Sequence, residues 1–207
     1  KLGQLSSLPE SFGNLIQLTA LNLAHVRLTV LPESFGKLTN LSLLELYGTF
    51  KELPASFGNL TQLTSINLGT YKLTRLPTSF GNLTRLTSFR LDWSQLTQLP
   101  ASFCKLTNLQ VLSIQNSKLL RLPVSFGQFH KLRTLNLSRS NLRDIPESIR
   151  GCINLKELNL AEAQLTRLPD VFDFMTALFT LNVQKNQLTT LPSSICRLQM
   201  LEKLDVQ

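Results

Sequence analysis

The sequence predicts an α/β solenoid, a curved stack of similar units with a parallel β-sheet on the concave face and short 3₁₀ or helical turns on the convex side. The first observation is a period. All nine prolines of the 207 residues follow a leucine or isoleucine, and seven of the eight gaps between them are 23 residues. The gap from Pro32 to Pro54 is 22. The second observation is a regular set of leucine positions within each unit, which is typical of stacked repeats.

The strand of each unit lies where apolar and polar residues alternate. Aligned on proline, the units share the pattern Leu-x-x-Leu-x-Leu-x-x-x-x-Leu-x-x-Leu-Pro-x-Ser-Phe-Gly-x-Leu-Thr-x. The Leu-x-Leu portion has the period of a half-buried strand. Proline cannot donate to a sheet ladder, so each strand ends before it. We expect strands at 20–24, 43–47, 65–69, 88–92, 111–115, 134–138, 157–161, 180–184 and 203–206.

The segment after each proline predicts the convex side of the stack. Pro-x-Ser-Phe-Gly is too short for a long helix and favours a 3₁₀ turn, with its glycine as a turn residue. One strand and one return cannot bury their own apolar face, so neighbouring units must stack. We expect the aromatic position of this segment to form a continuous buried spine. Its members are Phe12, Phe35, Phe57, Phe80, Phe103, Phe126 and Phe172, with Ile149 and Ile195.

These leucine positions resemble those of the leucine-rich repeat family over essentially the whole chain. The 23-residue period with Leu-Pro is similar to intracellular repeats of the Ras-suppressor type and to many bacterial repeat proteins. One position departs from the family pattern, in which an asparagine follows the last strand leucine by three residues and bonds neighbouring backbone. Here that position holds Val26, Thr49, Tyr71, Ser94, Ser117, Ser140, Ala163 and Asn186. Asparagine occurs instead within the strands, at Asn22, Asn67, Asn136, Asn159 and Asn182.

The whole chain, residues 1–207, is predicted to be one leucine-rich repeat domain of about nine repeats. The usual polar end units are not visible, so we expect it to be part of a longer protein. Three cysteines without metal or redox spacing indicate reduced thiols, with Cys152 buried in a leucine position. This usage favours a cytoplasmic protein or one delivered into a host cytoplasm. Four glycosylation sequons, at Asn40, Asn59, Asn82 and Asn136, leave a secreted protein as the alternative.

Motifs for catalysis or for a cofactor are not found in this sequence. His25 and His130 lie in different repeats and different positions, too far apart to share a metal or a catalytic triad. Nucleophile-elbow, phosphate-binding and dinucleotide-binding motifs are also missing. We therefore predict a protein that is not an enzyme, with no catalytic residue, no metal site and no cofactor.

The exposed strand positions carry the candidate binding residues. In the N-terminal half, His25, Tyr47, Phe50, Tyr71 and Trp93 fall near one edge, with Glu45, Arg90 and Asp92 beside them. Exposed aromatics with arginine are typical of interface hot spots. The alternative is structural: Tyr71 packs inward, and Phe50 fills a leucine position, which we prefer for Phe50. Trp93 and Tyr47 are expected to be exposed.

The C-terminal half carries charges of alternating sign. They are Arg133, Arg139, Lys156, Glu157, Glu162, Lys185, Glu202 and Lys203. Such charges suit steering and selectivity, or simply a solvated face. We expect Glu157 and Glu162 to balance nearby bases rather than to act as acid and base. The predicted partner-binding set is Tyr47, Arg90, Asp92, Trp93, Arg139 and Glu162.

A basic flank along the return loops raises the question of an anionic partner. It comprises Arg27, Lys72, Arg75, Lys118, Arg121, Arg143 and Arg167, in a chain of net charge +8. A nucleic acid or an anionic membrane would suit such a flank, but solubility explains it better. The leading hypothesis, which the family resemblance implies, is a non-catalytic module that binds a protein partner on its concave face. The alternative is the substrate-recognition domain of a larger enzyme or bacterial effector, for example a ubiquitin ligase or GTPase-linked protein.

Overall fold

A computed structural model describes residues 5–207 and shows one sheet of nine parallel strands in sequence order. All nine predicted strands are present, and each pairs with the strand of the next repeat. Their bounds are β1 Ala20–Leu28, β2 Leu43–Gly48, β3 Ser65–Thr70, β4 Ser88–Asp92, β5 Val111–Ser113, β6 Thr134–Asn136, β7 Glu157–Asn159, β8 Thr180–Asn182 and β9 Lys203–Asp205. The predicted curved solenoid is confirmed, with the sheet on its concave face.

Strand length differs between the two halves of the stack, and the prediction was too long for β5–β9. These strands have three residues each, whereas β1–β4 have five to nine. Two local features interrupt the regular ladder. The Asn136 Oδ1 accepts a hydrogen bond from the backbone N–H of Ser138 at 3.0 Å, and Asn159 and Asn182 bond their own chain in the same way. The backbone then passes through a left-handed residue.

Left-handed residues recur at one position of five consecutive repeats. This position follows the last strand leucine by two residues, and none of the five is glycine. Their φ angles are 61° at Trp93, 51° at Asn116, 53° at Arg139, 54° at Glu162 and 52° at Lys185. Only asparagine among these residue types adopts the conformation readily, so the turn that they share is imposed by the stacking of the repeats.

The convex side consists of 3₁₀ turns, as predicted, and the described residues contain no α-helix. Seven of the nine turns begin directly after the repeat proline. Its fixed φ suits the residue that precedes a helical turn. The turns span Glu10–Asn14, Glu33–Lys37, Ala55–Asn59, Thr78–Asn82, Ala101–Lys105, Phe126–Gln128, Glu147–Gly151, Phe172–Phe174 and Ser193–Arg197.

The predicted phenylalanine spine is present and is continuous as a stack of rings over five repeats. From Phe12 to Phe103, successive ring centroids lie 6.4, 6.1, 5.9 and 6.0 Å apart, and the ring planes are nearly parallel. Beyond Phe103 the next ring in contact is Phe129, at 5.9 Å and edge-on. Phe129 occupies a leucine position and joins Phe126 at 5.0 Å. The spine therefore continues through a ring that the repeat pattern did not predict.

The glycines of Ser-Phe-Gly are required for close approach of neighbouring repeats rather than for an unusual backbone conformation. No glycine in residues 5–207 has a positive φ. A Cβ atom on Gly58 would overlap the backbone carbonyl oxygen of Ser79 in the next repeat, and Gly36 and Gly81 face Ser56 and Ser102 in the same way. The sequence assigned these glycines to turns, and the structure adds this inter-repeat contact as their reason.

Replacing Gly58 by alanine should therefore lower the free energy of unfolding by about 1–3 kcal/mol, since the added methyl group forces two repeats apart. Denaturant titration of the variant measures this loss. Cys104 occupies the equivalent position of a later repeat and already carries a Cβ atom, so Cys104→Ala is the matched control and should change stability little. Equal losses for both variants would contradict the close-approach argument.

The cysteines are free in the structure, as predicted. Cys152 and Cys104 are buried and Cys196 is exposed. Burial, with a smaller contribution from Cys104, raises the pKa of the Cys152 thiol to about 12. Within residues 5–207 no helix is long and apolar enough to cross a membrane, and no group of histidine, cysteine and acidic residues could hold a metal ion.

The inner asparagine position forms one complete rung. Asn186 Nδ2 donates hydrogen bonds to the carbonyl oxygens of Leu160 at 2.8 Å and Val183 at 2.7 Å. Its Oδ1 accepts from the N–H groups of Ala163 at 3.1 Å and Leu165 at 2.9 Å. Serine replaces only part of this rung. Ser140 Oγ donates to one carbonyl oxygen, at 2.7 Å, whereas the buried Ser94 Oγ has no partner.

Candidate functional site

Arg90 and Asp92 of β4 lie at the centre of the concave face. They are two residues apart on one strand and therefore point to the same side of the sheet. Their in-register neighbours on β3 are Asn67 and Gly69, and Ser113 on β5 lies opposite Arg90. Arg90 is exposed and Asp92 is half-buried. Neither residue makes an ion pair within the part of the chain that the structure describes.

Tyr47 lies flat across the neighbouring strand and is half-buried, so its predicted exposure is only partial. It pairs with Gly69, and a Cβ atom on Gly69 would overlap the Tyr47 ring. The Asn67 amide donates a hydrogen bond to the Tyr47 hydroxyl at 3.3 Å. The missing side chain at Gly69 therefore creates the seat of the tyrosine ring, one strand away from Asp92.

Trp93 and Tyr71 form an exposed aromatic pair at the rim of the sheet. Their ring centroids are 6.0 Å apart, with the planes inclined by 42°. Trp93 is 50% exposed and Tyr71 is 62% exposed. The structural alternative for Tyr71 is wrong, because β3 runs one residue further than predicted and Thr70 takes the inner place.

Phe50, which the sequence also placed near this edge, is completely buried. It fills a leucine position of the 22-residue unit, as we preferred, and it does not belong to the surface. His25 lies on β1, at the far end of the sheet from Trp93. The exposed aromatic surface therefore reduces to Tyr47, Tyr71 and Trp93.

Arg139 and Glu162 belong to a second group on the same rim. Glu162 Oε1 lies 3.4 Å from Arg139 Nε and 3.8 Å from Lys185 Nζ. The three residues are successive members of the left-handed position that also holds Trp93. The predicted balancing role of Glu162 is thus confirmed, and each exposed pair contributes little stability. The structure brings Tyr47, Arg90, Asp92 and Trp93 together, with Arg139 two repeats further along the rim.

The basic flank is partly neutralised by acids that our sequence argument did not include. Arg75 pairs with Glu52 at 2.6 Å, and Arg167 lies 3.7 Å from Asp144. In both pairs the acid precedes the base by 23 residues, which is one repeat. This spacing could have revealed the pairs from the sequence. The charge available for a phosphate backbone or an anionic membrane is correspondingly smaller.

The Asp92 carboxylate is electrostatically unfavourable in the isolated protein. Its Oδ1 atom is buried and has no hydrogen-bond partner. Burial raises the pKa of Asp92, while Gln115 beside it and the charge of Arg90 act in the opposite direction. Because the folded-state pKa is raised, the stabilising contribution is complete below the unfolded pKa and is lost as the pH rises through the folded value.

Asp92→Asn should accordingly be more stable than the wild type at pH 7, by up to about 1 kcal/mol, since half of the carboxyl group is exposed and screened. The difference should disappear below about pH 4, where the aspartate is protonated in both states. Thermal unfolding across this pH range measures the effect. An asparagine variant that is less stable at pH 7 would show that the carboxylate is satisfied in the folded protein.

Two residues of this surface, Gly69 and Gln115, were missed by sequence reasoning. Gly69 seats Tyr47, and Gln115 lies beside Asp92 and accepts the backbone N–H of Trp93 through its carbonyl oxygen at 3.1 Å. Both occupy the position of Asp92 in neighbouring repeats, 23 residues away. Reading each repeat position across the strands would have found them.

The fold and this surface define a class of protein: a solenoid whose leucines form the interior and whose concave strand positions vary from repeat to repeat. The chain belongs to the leucine-rich repeat family. The family model for a leucine-rich repeat region matches residues 4–95, and the model for the leucine rich repeat matches residues 131–188. The chain shows no significant match to curated protein sequences.

Solved structures with the same fold include an effector and receptors. The leucine-rich repeat domain of the type III effector XopL is 29% identical, with a TM-score of 0.88 over 98% of this chain and 73% of that one. The ectodomain of the Arabidopsis thaliana receptor kinase GASSHO1/SCHENGEN3, in complex with CASPARIAN STRIP INTEGRITY FACTOR 2, is 28% identical with a TM-score of 0.78. TLR13, in complex with ssRNA13, is 26% identical with a TM-score of 0.83. The chain spans 28% of the plant receptor and 31% of TLR13, covering 98% of its own length in each comparison.

Proposed function

We propose that this chain is a non-catalytic recognition module that binds a protein partner on its concave face. Leucine-rich repeats are generally binding scaffolds without enzymatic activity, and the similar plant receptor ectodomain is seen in complex with another protein. The concave strand positions are free to vary because the fold is maintained by the leucines. They are therefore the positions that can specify a partner.

The observation that carries this proposal is the cluster at β2–β4. It combines an exposed aromatic pair, Tyr71 and Trp93, with two charged residues that make no ion pair in residues 5–207, Arg90 and Asp92. Large aromatics and arginine dominate the energy of protein interfaces. Charged groups beside them select the partner and its register. The Arg139–Glu162 pair extends the surface along the rim.

The alternative is that the module recognises substrates for a larger enzyme or bacterial effector. The similarity to the repeat domain of the type III effector XopL supports this context. It does not change the role of the surface, since a substrate-recognition domain would also bind a protein. A cytoplasmic location, in the producing cell or in a host cell, belongs to the same proposal.

Trp93→Ala should weaken binding of the partner at least about tenfold, because a buried aromatic anchor contributes roughly 2 kcal/mol or more to an interface. Arg90→Ala should act in the same direction. The measurement is quantitative affinity capture from cell lysate, followed by titration of the purified partner. Stability should change little, since Trp93 is half-exposed and makes no contribution to the leucine core.

Val124→Ala and Arg121→Ala are the matched controls for this experiment. Val124 is 84% exposed after a repeat proline, and Arg121 is exposed on the return loops. Both should bind as the wild type does. If the controls weaken capture as much as Trp93→Ala does, or if Trp93→Ala unfolds the protein, binding on this surface is contradicted.

A further inference from the structure

The inference concerns the chemistry that the partner presents to the concave face, and it rests on the proposed function. Asp92 is the only charged residue at its position of the repeat. Every equivalent position from Ala24 to Gln207 holds an uncharged residue. A lone carboxylate at this place is not required by the fold, because the other repeats form without one.

The surroundings of Asp92 are those of an incomplete binding site. One carboxylate oxygen is buried without a hydrogen-bond partner, and the residue makes no ion pair within residues 5–207. Aromatic rings flank it: Tyr47 lies over Gly69 on one side, and Trp93 follows Asp92 directly in the chain. A half-buried group that destabilises the free protein is a candidate functional group.

We propose that Asp92 receives a basic side chain of the protein partner, with arginine favoured over lysine. A guanidinium group can donate two parallel hydrogen bonds to a carboxylate and can also stack on aromatic rings, which a lysine ammonium cannot do equally well. Tyr47 and Trp93 supply such rings beside the carboxylate. Arg90 precedes Asp92 on β4 and repels a second cation, so the partner's arginine approaches from the Trp93 side.

The test uses a phage-displayed library of random peptides of about 12 residues, selected on the folded wild-type protein. Trp93 is the only tryptophan, so tryptophan-free synthetic copies of the selected peptides can be titrated by its fluorescence. We expect the selected sequences to be enriched in arginine. Their affinity should fall at least about tenfold for Asp92→Asn, the effect typical of removing one partner from a desolvated ion pair.

Glu157→Gln is the matched control, because it removes one negative charge from an exposed concave position on β7. It should reduce the affinity of the same peptides less than about twofold, as expected for an exposed charge far from the contact. If Asp92→Asn behaves like Glu157→Gln while Trp93→Ala abolishes binding, the arginine inference fails and the concave site stands. If no variant affects binding, the proposed function fails as well. Enrichment in acidic residues with dependence on Arg90 alone would overturn the inference too.

Discussion

Phe80→Ala should lower the free energy of unfolding by about 3–5 kcal/mol, the largest stability loss that we expect from a single change. Phe80 is completely buried, and its ring stacks on Phe57 at 5.9 Å and Phe103 at 6.0 Å. It also meets Phe89 of β4 at 5.0 Å. Alanine would leave a cavity between three repeats that rigid neighbouring backbones cannot close.

Denaturant unfolding followed by circular dichroism measures this loss, and hydrogen exchange shows where it begins. Because each repeat contacts only its neighbours, exchange should accelerate first in the repeats around residues 57–103. Val124→Ala removes a side chain that is 84% exposed and should cost less than about 0.5 kcal/mol. A loss below about 1 kcal/mol for Phe80→Ala would mean that the ring stack does not stabilise the solenoid.

Asn186→Ala should cost about 2–3 kcal/mol, because it removes hydrogen bonds from backbone groups of two repeats and leaves several of them without a partner. The amide holds the carbonyl oxygens of Leu160 and Val183 and the N–H groups of Ala163 and Leu165. The loss should therefore be local to residues 160–186. Hydrogen exchange of the Ala163 and Leu165 amides should accelerate in the variant.

Asn182→Ala provides the comparison within the same repeat. Asn182 makes one local hydrogen bond, accepting the N–H of Gln184 at 3.1 Å, so its loss should cost about 1 kcal/mol or less. Equal effects at Asn182 and Asn186 would contradict the view that the inner rung joins two repeats. A stabilised Ser94→Asn variant would support that view, since the Ser94 hydroxyl is buried without a partner.

The predicted strands and turns agree with the structure because both depend on local periodicity. Leucine alternation placed all nine strands, and each Leu-Pro placed the end of a strand. The errors fall where neighbouring repeats decide the backbone. The left-handed residues at Trp93, Arg139 and Glu162 could not be expected from their side chains, which disfavour that conformation. The shortened strands β5–β9 lie in the same part of the stack.

The candidate site was predictable as a set of residue types but not as an arrangement. The sequence indicated that Tyr47, Arg90, Asp92 and Trp93 lie on one face, since strand residues alternate and repeats are aligned. It did not reveal that Tyr47 lies over Gly69, that Tyr71 turns outward to Trp93, or that Phe50 turns inward. These outcomes depend on the single residue missing from the 22-residue unit and on contacts between strands.

The sequence by itself determined the solenoid, its strand positions and its phenylalanine spine, because a repeated apolar pattern has only one way to bury itself in a stack. The tertiary structure alone decided which side chains share a surface and which charges stay unpaired. Those outcomes depend on packing between residues about one repeat apart, where backbone distances and side-chain directions, rather than residue type, determine contact.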